Sequence, residues 1–420
     1  MTAFPGVLLL GMENAIALTV VRELGGHGVP VHGIARSATS IGAASRHCAD
    51  WTMRPAGPIA DWLPGLIART GARAVLAISE SDLIELAALP PMIGDCHLLV
   101  PRPEPLGRVL DKLQTLHAAA VAGLRVPQTW QPRAGEDFAA RAAQMRYPLV
   151  AKWANPPDIM AVLAQAGLEW IKTDYVRTPD ELVALLHRYA PVGRWPLIQQ
   201  YCRGVGLGQM LYMQDGQATL RFQHRRLHEW PPEGGVSTLC RAEPADAHGA
   251  QMALSEKLLR ALDWEGQAMV EYRYEPDSGR YWLMEVNGRF WGSLPLARHC
   301  GADFAWEAYR RKVLGRTDVA PPPRDDVRAL HGAGNQAAGA RPAGARPHRR
   351  SLLPPSPAIR PRQLSARLFR PACSLLCLQR FRRGALAARH GTDRQESRAP
   401  GKALTSAPIA RSIRAKQVAI

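Results

Sequence analysis

The sequence predicts a protein of mixed class, an α/β layer followed by a larger α+β region, and three observations predict it. The first hundred residues alternate short apolar runs with stretches of helical spacing, the pattern of a parallel sheet flanked by helices. From Leu106 onward helices are followed by long hairpin candidates, which makes antiparallel strands. Beyond about Ala320 the periodicity is lost. The 420 residues exceed what one core usually holds, and 46% apolar residues are enough for two or three domains.

In the first region Val7 to Leu10 reads as a short buried strand. Asn14 to Leu24 carries Ile16, Val20 and Leu24 at helical spacing, and Gly25-Gly26 reads as its stop. Val29 to Ala35, Ala74 to Ser79 and His97 to Pro101 read as further strands. The first strand-to-helix turn is Gly11-Met12-Glu13-Asn14-Ala15-Ile16, which lacks G-x-G-x-x-G and argues against NAD binding. The second region opens with a helix carrying Asp111-Lys112. The strand Tyr147 to Lys152, a helix from Asp180 to Tyr189 and the strand Pro196 to Cys202 follow. Two hairpins come next, Gln209 to Leu227 around Asp215-Gly216 and Ala268 to Arg289 around Pro276-Asp277-Ser278-Gly279. A helical pattern is still readable from Gly301 to Gly315, and there is no internal repeat.

The net charge of +17 is concentrated at one end. Residues 321–420 hold 20 Lys+Arg against 4 Asp+Glu, whereas residues 1–320 hold 33 against 32. The body is electrostatically neutral, which argues against a nucleic-acid-binding face on it. The seven cysteines, Cys48, Cys96, Cys202, Cys240, Cys300, Cys373 and Cys377, form no C-x-x-C and no metal spacing, so a reducing compartment and buried structural thiols are expected. The N-terminus has no basic leader, and Val7 to Leu10 is too short to span a bilayer. A cytoplasmic protein with no membrane span is expected.

The residues richest in chemistry lie in the last hairpin, Met269-Val270-Glu271-Tyr272-Arg273 and Tyr281-Trp282-Leu283-Met284-Glu285-Val286-Asn287-Gly288-Arg289. Alternation puts Leu283, Glu285, Asn287 and Arg289 on one face and Trp282, Met284 and Val286 on the other. Glu271 lies opposite Glu285 if the loop has odd length, such as Pro276 to Arg280, whereas a four-residue loop sets it opposite Met284. Carboxylates that close repel unless a cation separates them. Mg²⁺, or Mn²⁺ in its place, suits such a set because it favours hard oxygen donors and is typically held by one or two carboxylates plus nucleotide phosphates. The alternative is a hairpin whose charges face water. Two lysines precede the hairpin: Lys112 near the start of a helix, and Lys152 at the end of the apolar strand Leu149-Val150-Ala151.

In order, Lys112, the strand ending Pro-Leu-Val-Ala-Lys at Lys152, Ile198-Gln199-Gln200-Tyr201-Cys202-Arg203-Gly204, Met269-Val270-Glu271 and Glu285-Val286-Asn287-Gly288-Arg289-Phe290-Trp291-Gly292-Ser293 resemble the ATP-grasp superfamily. Within it the chain looks most like uncharacterised ATP-dependent carboligases related to the carbamoyl-phosphate synthase large chain and biotin carboxylase. The resemblance covers about residues 1–320. It implies a pre-ATP-grasp α/β domain over 1–105, a two-lobed ATP-grasp domain over 106–320, and a disordered Arg/Ala/Pro-rich tail over 321–420.

The resemblance further implies that Lys112 and Lys152 contact ATP phosphates and that Gln199, Gln200, Tyr201 and Cys202 form the hinge strand along the adenine. It makes Glu271, Glu285 and Asn287 the Mg²⁺ ligands, and has Arg289 stabilise the transferred phosphoryl group or acyl phosphate. Two features depart from the family. Trp153-Ala154-Asn155-Pro156-Pro157 stands where many members carry a glycine-rich phosphate loop, and glutamines stand where many place an acidic residue for the ribose.

A second constellation, Gln223-His224-Arg225-Arg226-Leu227-His228-Glu229, ends a strand before a Pro/Gly loop. Arginine binds carboxylates bidentately, so Arg226 or Arg225 is the candidate for an anionic substrate, and a solvated hairpin end is the alternative. The expected activity is an ATP- and Mg²⁺-dependent ligase acting on a small-molecule carboxylate, or bicarbonate, as an acyl phosphate, with an amine or other nucleophile as second substrate. The rivals are an ATP-binding regulatory protein without turnover and a nucleic-acid-binding protein acting through the tail. The tail has 18 Arg but 2 Lys, and a coding frame shifted near Arg328 accounts for that composition better than a basic binding arm does.

Overall fold

The computed structural model describes residues 4–230, 235–319, 321, 323–324 and 328–330. The first sheet comprises β1 (Val7–Leu10), β2 (Val31–Ala35), β3 (Asp50–Met53), β4 (Ala74–Ala77), β5 (Met92–Ile93) and β6 (Cys96–Leu98) in the order β3-β2-β1-β4-β6-β5. Every pairing is parallel except that of β5 with β6. Three helices connect these strands: α1 (Ala15–Gly26), α2 (Ile59–Thr70) and α3 (Glu80–Ala87). Asn14 starts α1 by accepting from the Ile16 and Ala17 amides at 3.0 and 3.1 Å. The helix buries Ala17, Val20, Val21 and Leu24, and it runs through Gly25-Gly26, read from sequence as its stop, to a cap at His27.

The expected helix through Asp111-Lys112 is two helices, α4 (Pro103–Leu110) and α5 (Lys112–Ala122). Asp111 separates them because its backbone is extended and its carboxylate caps Leu113 and Gln114, at 2.8 and 3.2 Å from their amides. The second sheet, in the order β7-β10-β8-β9, is antiparallel and contains β7 (Thr129–Trp130), β8 (Leu149–Lys152), β9 (Asp174–Val176) and β10 (Leu197–Gln200). Its connections carry α6 (Phe138–Ala143), α7 (Pro156–Gln165) and α8 (Pro179–Tyr189). Trp130, Leu149, Ala151, Ile198 and Val176 turn one face of the sheet toward Leu163 of α7 and Leu182 and Leu186 of α8, which leaves Val150 and Lys152 on the other.

The third sheet has the order β15-β14-β11-β12-β13-β16, from β11 (Val205–Gln214), β12 (Gln217–Trp230), β13 (Val236–Ala242), β14 (Gly266–Glu275), β15 (Arg280–Asn287) and β16 (Arg328–Leu330). Its Leu207, Leu211, Ala268, Val270 and Tyr272 face a core shared with α5 and with α9 (Gly249–Ala261). Its other face contributes Met210, Tyr212, Phe222 and Met269 to a core with β1, β2 and α1. That core also takes in α10 (Leu294–His299) and α11 (Phe304–Lys312), whose Phe304, Ala308 and Tyr309 are buried. The segment after Ala320, expected to be structureless, supplies β16, whose backbone pairs with β13, and Arg324, whose amide donates to Cys300 at 2.7 Å. The rest of the expected tail, from residue 331, lies outside the described residues. Among the described residues no disulfide joins the cysteines, and no helix is long and apolar enough to cross a membrane.

Candidate functional site

The site is built where the third sheet meets the ends of β8 and α5. β14 and β15 are joined by the four-residue loop 276–279, with Glu275 opposite Arg280. Glu271 nevertheless pairs with Glu285, because a bulge between Glu271 and Tyr272 leaves Met284 without a cross-strand partner. The bulge adds one residue to β15 and reverses the alternation beyond it. Leu283, which strict alternation places beside Glu285, therefore lies in the core with Val286, while Glu285 and Asn287 turn to the opposite face. Asn287 Nδ2 donates to Glu285 Oε1 at 3.2 Å.

Two glycines of β11 shape the floor beside this pair. A Cβ on Gly206 would lie 2.5 Å from Arg226 Cδ, and one on Gly208 would lie 2.9 Å from His224 Nε2. Only glycine lets those two side chains lie across the strand. Over Gly206, Arg226 donates to Glu271 Oε2 at 2.5 Å and to Glu229 Oε1 at 3.2 Å, and Arg273 pairs with Glu229 Oε2 at 2.8 Å. Burial opposes the Arg226 charge, but Glu271 and Glu229 more than offset it and hold the guanidinium above its ordinary pKa. Arg225, one residue along the strand, faces away and pairs at 3.0 Å with Glu243, which also holds Arg241 at 2.8 Å. The structure thus separates the two arginines and sets Arg226 beside Glu271.

Lys112 is the first residue of α5, and its amide donates to Ala154 O at 3.1 Å. This bond ties the start of α5 to the chain leaving Lys152. Burial lowers the pKa of Lys152, Glu285 and then Glu271 pull it back up, and Lys112 and Arg273 lower it again. Burial likewise pushes the Glu285 carboxyl up, but Lys112, Lys152, Lys172 and the Asn287 amide overcome this and hold it down at about 2. Glu285 is therefore a charged carboxylate ringed by lysines.

Along β10, the Gln200 amide donates to Gln128 O at 2.8 Å and Gln199 Nε2 to Thr129 Oγ1 at 3.1 Å. Tyr201 sits edge-on to Tyr175 at 6.2 Å, and burial pushes the Cys202 thiol up to about 12 even though Lys152 acts to lower it. Arg289 leaves the end of β15 toward the first sheet: Nη1 donates to Phe290 O, and Nε lies 3.7 Å from Glu80 at the start of α3. Lys112, Lys152, Glu271, Glu285, Asn287 and Arg226 are thus drawn together, Arg289 reaches a different helix, and Arg225 lies on the other face.

Sequence reasoning missed Lys172 and the two floor glycines, and it gave no role to Glu229 and Arg273 within the stretches it singled out. Lys172 sits in no periodic run, although glycines at alternate positions of an apolar strand do signal a close approach. Among the described residues no three His, Cys, Asp or Glu side chains converge on a metal position. Two carboxylates and an amide do form a hard-oxygen set of the kind that holds a small divalent cation together with anionic ligands.

No protein-family model and no curated protein matches the chain. Its fold does match solved structures. The biotin carboxylase domain of 2-oxoglutarate carboxylase from Hydrogenobacter thermophilus, in complex with MgADP, ADP and bicarbonate, is 16% identical with a TM-score of 0.58, over 77% of this chain and 73% of that one. The ADP complex of an N5-carboxyaminoimidazole ribonucleotide synthetase is 14% identical with a TM-score of 0.57, over 78% and 81%. An L-amino acid ligase from Bacillus licheniformis is 16% identical with a TM-score of 0.53, over 73% of each chain. The chain therefore shares the fold of these carboxylase, synthetase and ligase structures.

Proposed function

We propose that the chain is an ATP- and Mg²⁺-dependent ligase. It would convert a carboxylate or bicarbonate into an acyl phosphate, which an amine or another nucleophile then attacks with loss of phosphate. The observation that carries this reading is the pairing of Glu271 with Glu285 on one face, with Glu285 held ionised by the charges of Lys112, Lys152 and Lys172. A carboxylate is a poor electrophile, and a phosphate leaving group makes its carbon open to attack. Lys112 and Lys152 would take the phosphates, and the backbone from Gln199 to Cys202 the adenine edge. Glu271, Glu285 and Asn287 would hold Mg²⁺, which supplies charge neutralisation to the polyphosphate when bound.

Arg226 is the candidate for the anionic substrate, and its bond to Glu271 sets it beside the metal ligands. Arg289 would meet the transferred group from the side of Glu80. On this reading residues 1–105 form the pre-ATP-grasp domain and residues 106–320 the ATP-grasp domain. ADP release, screened with mixed carboxylic acids and amines in the presence of Mg²⁺, tests the proposal. Release that requires one acid and one nucleophile is expected, and ATP binding without turnover under every combination would contradict it.

A further inference from the structure

The segment directly after Lys152 offers little that could meet the charge of a polyphosphate. That segment enters α7 through Pro156-Pro157, which have no N–H to donate, and Asp158 adds a negative charge to the first turn. Between Lys152 and Arg177 the sequence contains a single basic residue, Lys172. The register brings it back to the site. Ala151 pairs with Asp174 across β8 and β9, so the end of β8 at Lys152 runs alongside residue 173, and Lys172 stands one position further on. Its charge reaches Glu285, as do those of Lys112 and Lys152.

The arginines of the site are already engaged by carboxylates, Arg226 by Glu229 and Glu271 and Arg273 by Glu229. Among the described residues Lys172, Lys112 and Lys152 make no such contact ion pair, and beyond their longer-range attraction to Glu285 they are able to meet an incoming anion. Lys172 is exposed on the connection 166–173.

We propose that Lys172 is a third phosphate-binding residue, which closes over the polyphosphate of a bound nucleotide in place of backbone N–H groups. The inference rests on the nucleotide-site reading above. Calorimetry of the full chain with MgATP and with adenosine tests it, using wild type, Lys172→Ala and Lys172→Arg. In Lys172→Ala, ATP affinity should fall by about tenfold or more, as expected for loss of a charge-assisted contact, while adenosine affinity stays within about twofold. Lys172→Arg should recover most of the loss. ATP affinity in Lys172→Ala within about twofold of wild type, or an equal fall for adenosine, would overturn the assignment of Lys172 while leaving the nucleotide site in place. A wild-type chain that binds neither ligand would overturn the underlying reading, and this inference with it.

Discussion

Glu285 keeps its charge through its neighbours, and the consequence is a specific dependence on pH. Its folded pKa of about 2 lies below the unfolded value of about 4.3 for glutamate. The carboxylate therefore contributes stability that is fully present above the unfolded value and is lost as the pH falls through the folded one. Acid titration of thermal stability should show a component between about pH 4.3 and 2 that is absent from Glu285→Gln. An identical profile in the two proteins would contradict the lysine ring. Arg226 has the converse role, since it neutralises Glu271 and Glu229 inside the fold. Arg226→Ala should cost roughly 3 kcal/mol in urea unfolding, because it strands Glu271 while Glu229 keeps only Arg273. Arg226→Lys should recover part of this. If the Arg226→Ala protein is still folded, its KM for the carboxylate substrate should rise more than its KM for ATP.

At the scale of elements, α5 shows how a single cap positions a functional side chain. Asp111 both breaks the helix read across it and starts α5 at Lys112. Asp111→Ala should cost about 1 kcal/mol and weaken ATP more than adenosine, and Asp111→Asn should restore most of both. The strands β8 and β10 were legible because apolar runs bounded by turn residues are strong local signals. The contents of the last hairpin were legible, but its register was not. A four-residue loop and a bulge each shift pairing by one, and their combination restores Glu271 to Glu285 while sending Leu283 to the core. No local pattern announces a bulge of that kind. The glycine-poor stretch after Lys152 was noticed, but that it forms α7 follows from Ile159 and Leu163 packing into the second sheet's core, a tertiary effect.

At the scale of the whole molecule, residues 1–105 share a core with the third sheet and the helices that follow it. Val20, Val21 and Leu24 of α1 pack with Phe304, Ala305 and Ala308 of α11. Glu23 accepts from the Trp306 amide at 2.7 Å, and His27 stacks on the Trp306 ring at 4.2 Å. Residues 1–105 expressed alone should consequently expose apolar surface, bind a hydrophobic dye and melt without cooperativity. A sharp melt without dye binding would establish them as autonomous. The order of motifs along the chain made the fold legible from the sequence, whereas packing between segments some 280 residues apart leaves no local trace.

The acidic pair Glu271 and Glu285 is central to the proposed chemistry, and Mg²⁺-dependent ADP formation by Glu285→Gln, measured beside wild type, tests it most directly. The substitution keeps the side-chain volume and removes the charge. A folded variant with ADP formation reduced by at least about a hundredfold is the predicted result, as for loss of a charged ligand to the metal that would offset phosphoryl charge in the transition state. A folded variant turning over at near the wild-type rate would contradict it, and would remove Glu285 from the chemistry.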